Sequence, residues 1–266
     1  MYAPQNRQPE VQSPSDSTQL GTLTWPDYQA LLLADPIVVV PIGSMEQHGP
    51  HLPLGTDTVI AQALAERVAC ELNGHVAEAL PYGMRSDPYS GGGEAYPGTV
   101  SLRPETMVCV TFDVLEGLAE DGFRRIFLLN AHYENAPLLR EAVRRVTRRH
   151  PEVNVLMCNW WDLPPRSEIV GLFPGGFPGM DLEHAGLLET SLMLYVAPSL
   201  VRQDVPFPSH TIVPLGYEAY PESSVPDVSS GALASAVGAT AGIGERLVGL
   251  VVKAAALAAR DVFGND

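Results

Sequence analysis

The sequence predicts an α/β fold, a three-layer α/β/α sandwich built on a mostly parallel sheet. Three observations predict it. Short, wholly apolar, β-branched runs recur along the chain, as in PIVVVPIG and RRIFLLNAH, the pattern of strands buried on both faces. Between them lie longer stretches with apolar residues at helical spacing. Strands and helices alternate, which places consecutive strands parallel with helices covering both faces.

The elements follow in order. Residues 1–20 are rich in Pro, Ser and Gln, lack the apolar core of a signal peptide and read as a loosely attached tail. The rest, 21–266, reads as one domain, a length that can bury a sizeable core. Thr24–Ala34 is a helix with Thr24 at its cap and Pro26 in its first turn. Pro36–Gly43 is a buried strand, Thr56–Leu72 a helix, and His75–Gly83 a strand. After a glycine-rich loop come a helix over Pro104–Gly122, a strand over Arg124–His132, a basic helix over Pro137–His150 and a strand over Val153–Leu163. A Pro/Gly loop covers Pro164–Met180, then a helix runs over Asp181–Val196 and a long Ala/Gly-rich one over Ser229–Val262.

Bulk properties narrow the partners. A net charge of −15 opposes binding to nucleic acid or an anionic membrane. No stretch reaches the ~20 apolar residues that span a bilayer. Cys70, Cys109 and Cys158 have neither zinc nor disulfide spacing; they read as buried thiols in a reducing, cytoplasmic compartment.

In a parallel sheet the site lies beyond the carboxyl ends of the strands. Two predicted strands end there in unusual residues, GSMEQHGPHLPLGTD and NAHYEN. Each sets a carboxylate and an imidazole two positions apart, Glu46 with His48 and His132 with Glu134. Residues two apart on extended chain point the same way, so each pair can aim at a common point. Asp57 opens the helix after the first loop, where its two oxygens can bridge two cations. Taken singly, any of these five is as well read as a solvated loop residue or a cap; together on neighbouring strand ends they form a ligand set. Mixed imidazole and carboxylate donors suit Zn²⁺ or Mn²⁺, and two such cations ~3.5–4 Å apart activate a water for hydrolysis. The chain has no G-x-S-x-G elbow, Walker loop or G-x-G-x-x-G fingerprint.

The run PIGSMEQHGPHLPLGTDT resembles the first metal motif of the creatininase family, NAHYEN its second and DLEHAGLLETSLML its third. The resemblance runs from about Thr24 to Arg202. The SGGG loop with PGT, the HYEN form of the second motif and the Trp161–Asp162 pair favour, within the family, the members that open creatinine over its deformylases and maturation peptidases.

The resemblance implies two divalent metal ions per chain. Glu46, Asp57 and His132 would hold one, and His48, Asp57 and Glu134 the other. His184 would shuttle a proton to the leaving nitrogen near Glu183, with Glu134 also in the catalytic group. Ser90, Gly91, Gly92, Tyr133, Trp161, Met180 and Glu189 would line or support the substrate pocket. Two positions depart from the family pattern: Ala131 stands for a glycine, and Met180 for a tryptophan that covers substrate. The implied reaction is hydrolysis of a cyclic amide, creatinine to creatine, by a homohexamer. Another cyclic amide, a formamide or a peptide bond would suit the same chemistry, and a metal- or ligand-binding protein without turnover is the more distant alternative.

Overall fold

The computed structural model describes residues 18–87, 93–173, 175–213, 217 and 230–264. Four strands form one parallel sheet: β1 (Ile37–Ile42), β2 (His75–Val76), β3 (Arg125–Asn130) and β4 (Asn154–Asn159), in the order β2-β1-β3-β4. The helices are α1 (Trp25–Leu32), α2 (Thr56–Glu71), α3 (Pro104–Asp121), α4 (Ala136–Arg149), α5 (Arg166–Val170), α6 (Leu187–Val196) and α7 (Ala241–Phe263).

Alternation along the strands separates two cores, as the period of two requires. Val39, Phe127 and Leu129 face a cluster built with α2, α6 and α7. Val38, Val40, Ile42, Ile126 and Leu128 face the other way, against α3, α4 and residues of α1. The three layers expected from the alternation of elements are therefore present. Residue by residue, β1 and β3 pair from Ile37 with Arg125 to Ile42 with Asn130, so their carboxyl ends finish level. This common edge positions the site.

Several elements are shorter than their sequence pattern suggests, each for a local reason. The expected strand at His75–Gly83 stops at Val76. Val39 O accepts from Ala77 N, but the next donor on that edge of β1 would be Pro41, which has no N–H. The chain then follows β1 only through Leu80, whose N–H reaches Pro41 O. The strand expected to reach Leu163 ends at Asn159 and turns through Trp160–Asp162. The helix expected from Asp181 begins at Leu187, because Ala185 adopts a left-handed φ of 53° and breaks the period. The long C-terminal helix begins at Ala241 rather than Ser229: Gly231 and Gly238 have φ of 74° and 92°, and the Thr240 side chain caps the helix by accepting from Ile243 N.

One further expectation is corrected, and most of the tail, residues 1–17, lies outside the described residues. Cys70 and Cys109 are exposed, and Cys158 is half-buried. At the end of the tail, Thr18 O accepts from Val76 N and Gln19 bridges Val76, so these residues lie along the β2 edge. Among the described residues no helix is long and apolar enough to cross a membrane.

Helices α6 and α7 pack closely on the α2 side of the sheet. A Cβ at Gly244 would collide with the Ser191 carbonyl oxygen, whereas one at Gly249, on the exposed side of α7, would meet nothing within 4 Å. Gly244→Ala is expected to destabilise the protein by about 1–3 kcal/mol through overpacking. Gly249→Ala should stabilise it by up to about 1 kcal/mol through helix propensity. Urea unfolding of the two variants checks both signs.

Candidate metal centre

The site forms where β1 and β3 end and α2 begins. From Ile42 the chain passes through Gly43, where a Cβ would collide with the Thr58 backbone in the first turn of α2. This close passage lets the loop after β1 and the start of α2 share one site. Glu46 and His48 come from that loop, and Asp57 lies in the first turn of α2, where the helix dipole favours an anion. His132 follows directly on β3.

Their side chains converge. Asp57 Oδ1 lies 3.0 Å from His48 Nε2, and Asp57 Oδ2 lies 3.1 Å from His132 Nδ1. His132 Nδ1 is also 3.2 Å from Glu46 Oε2. The Asp57 carboxylate thus offers one oxygen to an imidazole on each side. Glu189 arrives from α6, its Oε2 3.8 Å from His48 Nε2. Three sets of potential ligand atoms lie within 4.8 Å of one another: Glu46, Asp57 and His132; His48, Asp57 and Glu189; and Glu46, His48 and His184.

The arrangement tests well as a metal site. All six residues of these sets are buried. Asp57 Oδ2, fully buried, makes no hydrogen bond of proper geometry although His132 Nδ1 stands beside it. A desolvated carboxylate oxygen without a hydrogen bond, beside a second carboxylate and an imidazole nitrogen, is what a cation requires.

Outer partners fix which nitrogen faces inward. His48 Nδ1 lies 3.0 Å from Glu46 O, and His132 Nε2 lies 3.1 Å from Met84 O. With those nitrogens donating to main-chain carbonyls, His48 Nε2 and His132 Nδ1 are left for a ligand. Ser86 Oγ donates to Glu46 Oε1 and turns Oε2 toward the two imidazoles. A buried asparagine network supports the strand ends. Asn130 Nδ2 donates to His132 O and Asn159 Oδ1; Asn135 Nδ2 donates to Gly43 O; and Asn135 Oδ1 accepts from Met84 N at 2.7 Å. The two asparagines of NAHYEN therefore tie β1, β3, β4 and the Met84 segment around His132.

Charge follows from this packing. Burial alone would push His48 down, but Asp57 and then Glu189 and Glu46 overcome it and hold it at about 10. Burial likewise opposes charge on His132, yet Glu134, Glu46 and Asp57 hold it well above the usual imidazole range. Against their own burial, Glu46 and Asp57 are held below the carboxylate range by the surrounding histidines, with His184 the largest influence on Glu46 and His48 on Asp57. Without metal, two imidazolium ions stand among the carboxylates and offset part of their negative charge. Burial raises Glu189 to about 7, with His48 opposing, and raises Glu183 to about 8, reinforced by the Glu189 charge. Burial lowers His184 to about 4.

Placement of the remaining sequence candidates is mixed. Tyr133, Glu134, Trp161, Met180, Glu183, His184 and Glu189 line one cleft together with Glu46, Asp57 and His132. Tyr133 stacks on Trp161, ring centroids 5.8 Å apart. Glu134 Oε2 lies 3.2 Å from His132 Nε2, the outward nitrogen, and among the described residues Glu134 falls outside the three sets. Glu189, expected as a supporting residue, lies in the set with His48 and Asp57. Its Oε2 accepts from Ala185 N at 2.6 Å, while Glu183 Oε1 accepts from Leu188 N at 3.1 Å. The left-handed turn at Ala185 thus orients both carboxylates. Ala131 has no positive φ, so alanine in place of the family's glycine carries no backbone strain. Ser90, Gly91 and Gly92 lie outside the described residues.

The sequence reading missed Trp160, Asp181, Ser86 and Gln47. Neighbours such as Trp160 and Trp161 face opposite ways on extended chain, but the turn after β4 buries both in one core and both line the cleft. Asp181, beside Met180, lines it too. Ser86 and Gln47 act on ligands through contacts distant in sequence or through a loop, and only the position of Gln47 between Glu46 and His48 gave a signal.

Comparison with known proteins agrees with this geometry. The Creatininase family model, described as creatinine amidohydrolase, matches residues 21–258, well beyond the Arg202 limit expected from the motifs. Creatinine amidohydrolase of Pseudomonas putida is 35% identical over 258 residues, covering 94% of this chain and 98% of the relative. A solved structure described as creatininase Mn matches with a TM-score of 0.88 at 34% identity, covering 94% of this chain and 100% of its own. A mutant creatininase complexed with creatine matches with the same TM-score, identity and coverage. With the family model matched over most of its length, the chain belongs to the creatininase family.

Proposed function

We propose that the protein is a two-metal amidohydrolase that opens a cyclic amide, with creatinine as substrate and creatine as product. One observation carries the reading: Asp57 presents each carboxylate oxygen to a different imidazole at the foot of a cleft walled by Tyr133, Trp160, Trp161 and Met180. The match to creatinine amidohydrolase over 94% of the chain supports the substrate. Glu46, Asp57 and His132 would hold one metal, and His48, Asp57 and Glu189 the other, a revision of the sequence expectation that rests on the ligand sets. Zn²⁺ and Mn²⁺ suit these donors. Bound there, two divalent cations supply a water of lowered pKa and polarise an amide carbonyl.

The chain's own residues supply the rest. The stacked Tyr133 and Trp161 rings form a flat wall suited to a planar ring, and Met180 covers it with an adaptable side chain. Glu134 sits at the cleft beside His132, where its carboxylate can hold a proton released from water. His184 presents Nδ1 toward Glu46 at 3.9 Å and is unprotonated at neutral pH, so it can accept a proton there and pass it to the leaving ring nitrogen. Glu183, kept protonated near neutrality, adds no second negative charge beside Glu189. In balance, water adds across the ring C–N bond: oxygen goes to the carbonyl carbon and a proton to the nitrogen. The Ser90–Gly92 loop as a substrate contact, assembly as a homohexamer and a cytoplasmic location belong to the same proposal. They are supported by the family resemblance and, for location, by three free cysteines.

Purified protein loaded with Zn²⁺ or Mn²⁺ should convert creatinine to creatine and lose the activity on chelation. A protein holding two metals that leaves creatinine intact but hydrolyses a formamide or a peptide would overturn the substrate while keeping the chemistry. Metal analysis separates the two carboxylates: Glu189→Gln is expected to lose about one metal per chain, whereas Glu134→Gln keeps both and loses turnover. The reverse result would restore Glu134 as a ligand.

Metal binding must also depend on pH. His48, held at about 10 without metal, carries a proton throughout the neutral range that a cation has to displace. Affinity is therefore expected to rise with pH up to about 10, and more steeply below about 7, where Glu189 also holds a proton. Zinc competition against a chelator between pH 6 and 9 measures the slope; a flat profile would contradict this assignment of charge.

A further inference from the structure

Beside the metal cleft lies a second, larger cavity that the proposed chemistry has not used. Its volume is about 570 Å³. Tyr133, Trp161, Met180 and Asp181 line both spaces, so the two adjoin along that wall. The inner cleft has no Lys or Arg among its lining residues, whereas Arg140 and Arg166 line the outer chamber.

Helix α4 carries Arg140 to the chamber by its period. Ala136, Pro137 and Arg140 line it together, and residues three and four apart share a helix face. No acidic residue in the first turn of α4 offsets the positive end of that helix, and its N-cap makes no side-chain hydrogen bond to it. Arg166 opens α5, its guanidinium 5.6 Å from the centre of the Phe177 ring. Among the described residues neither arginine forms an ion pair. The opposite charge comes from Asp162 and Asp181 in the same lining. Asp162 Oδ2 also accepts from Asn159 Nδ2 at 2.8 Å. The chamber therefore sets cationic and anionic side chains around one space.

Ring opening creates a ligand that suits this lining. Creatinine is a neutral, flat ring. On hydrolysis the oxygen of water goes to the carbonyl carbon, the ring C–N bond breaks, and both protons of water end on the guanidine. The product carries a carboxylate at one end and a guanidinium at the other. A neutral ring gains little from separated charges, but a zwitterion gains at both ends.

We propose that the chamber is an outer subsite for an open-chain guanidino carboxylate, in which Arg140 and Arg166 bind the carboxylate while Asp162 and Asp181 offset the guanidinium. This rests on the reading that the cleft opens a cyclic amide to such a product. The subsite separates product from substrate by charge alone. It gives the new carboxylate a place outside the metal cleft, across the wall of Tyr133, Trp161 and Met180 that holds the flat ring.

The test is calorimetric binding of 3-guanidinopropionate, an open-chain guanidino carboxylate, to zinc-loaded protein. Propylguanidine, which lacks the carboxylate, is the second probe. Arg140→Gln and Arg166→Gln are each expected to weaken 3-guanidinopropionate roughly five-fold, the worth of one exposed charge pair, and to leave propylguanidine almost unchanged. Arg144→Gln, one turn further along α4 and outside the lining, should alter neither. In initial-rate assays, added creatine should inhibit the two chamber variants roughly five-fold less strongly than wild type, while KM for creatinine moves less. Unaltered 3-guanidinopropionate binding in the double variant would put the carboxylate elsewhere and overturn the proposal. Equal losses for the two probes in a folded variant would overturn it as well, since a merely structural change moves both. Protein that holds two metals and leaves creatinine intact would instead overturn the substrate, while the two binding probes still decide the chamber.

Discussion

A buried carboxylate flanked by two imidazoles sets the terms for the rest of this structure. Asp57 is almost completely enclosed, and desolvating an anion costs several kcal/mol unless positive charge meets it. His48 and His132 meet it, one at each oxygen. They reach it from two different strand ends, so the pairing requires β1 and β3 to finish level and α2 to begin within a loop's reach. The in-register parallel pairing, the glycine at position 43 and the loop that returns from it to Thr56 all serve that requirement. A cluster of this charge density in a dry interior is stable only with cations or protons in it. The site is therefore at once the least favourable part of the fold electrostatically and the part to which its strand ends are fitted.

Support around the cluster is polar and fully buried. Asn130, Asn135 and Asn159 use both ends of their amides to join three strand ends and the Met84 segment. Networks of this kind specify one arrangement because each partly broken alternative leaves a buried donor or acceptor unmet. Apolar packing in the two cores sets where the strands lie, and the amides set where their ends point. The α6 side adds the remaining carboxylates through the Ala185 turn, whose left-handed backbone aims one N–H at Glu189.

Much of this was legible in the sequence. The β-branched runs at Ile37–Ile42 and Arg125–Asn130 announced buried parallel strands, and the i, i+2 pairs at their ends announced convergent ligands, because both signals are local. How Glu134 and Glu189 stand to the ligand sets was not legible, for the opposite reason. Extended geometry brought Glu134 beside His132 but could not show that His132 turns Nδ1, not Nε2, inward; that choice depends on the Met84 carbonyl, nearly fifty residues away. Glu189 reaches the site only through the packing of α6. The missing N–H at Pro41 was visible, yet its effect on β2 depended on which edge of β1 the proline faced. The glycines at 231 and 238 lay inside an Ala-rich stretch whose composition resembles helix, and only their positive φ shows otherwise.

The three histidines of the ligand sets share one habit. His48, His132 and His184 each rest an outer nitrogen against a main-chain carbonyl, of Glu46, Met84 and Gln47 respectively. A carbonyl of the backbone survives every change of side chain. Residues around the cleft can therefore drift in size and polarity over evolutionary time, while the orientation of the imidazoles is inherited with the course of the chain. Such a division leaves the reactive centre constant and the choice of substrate open to selection.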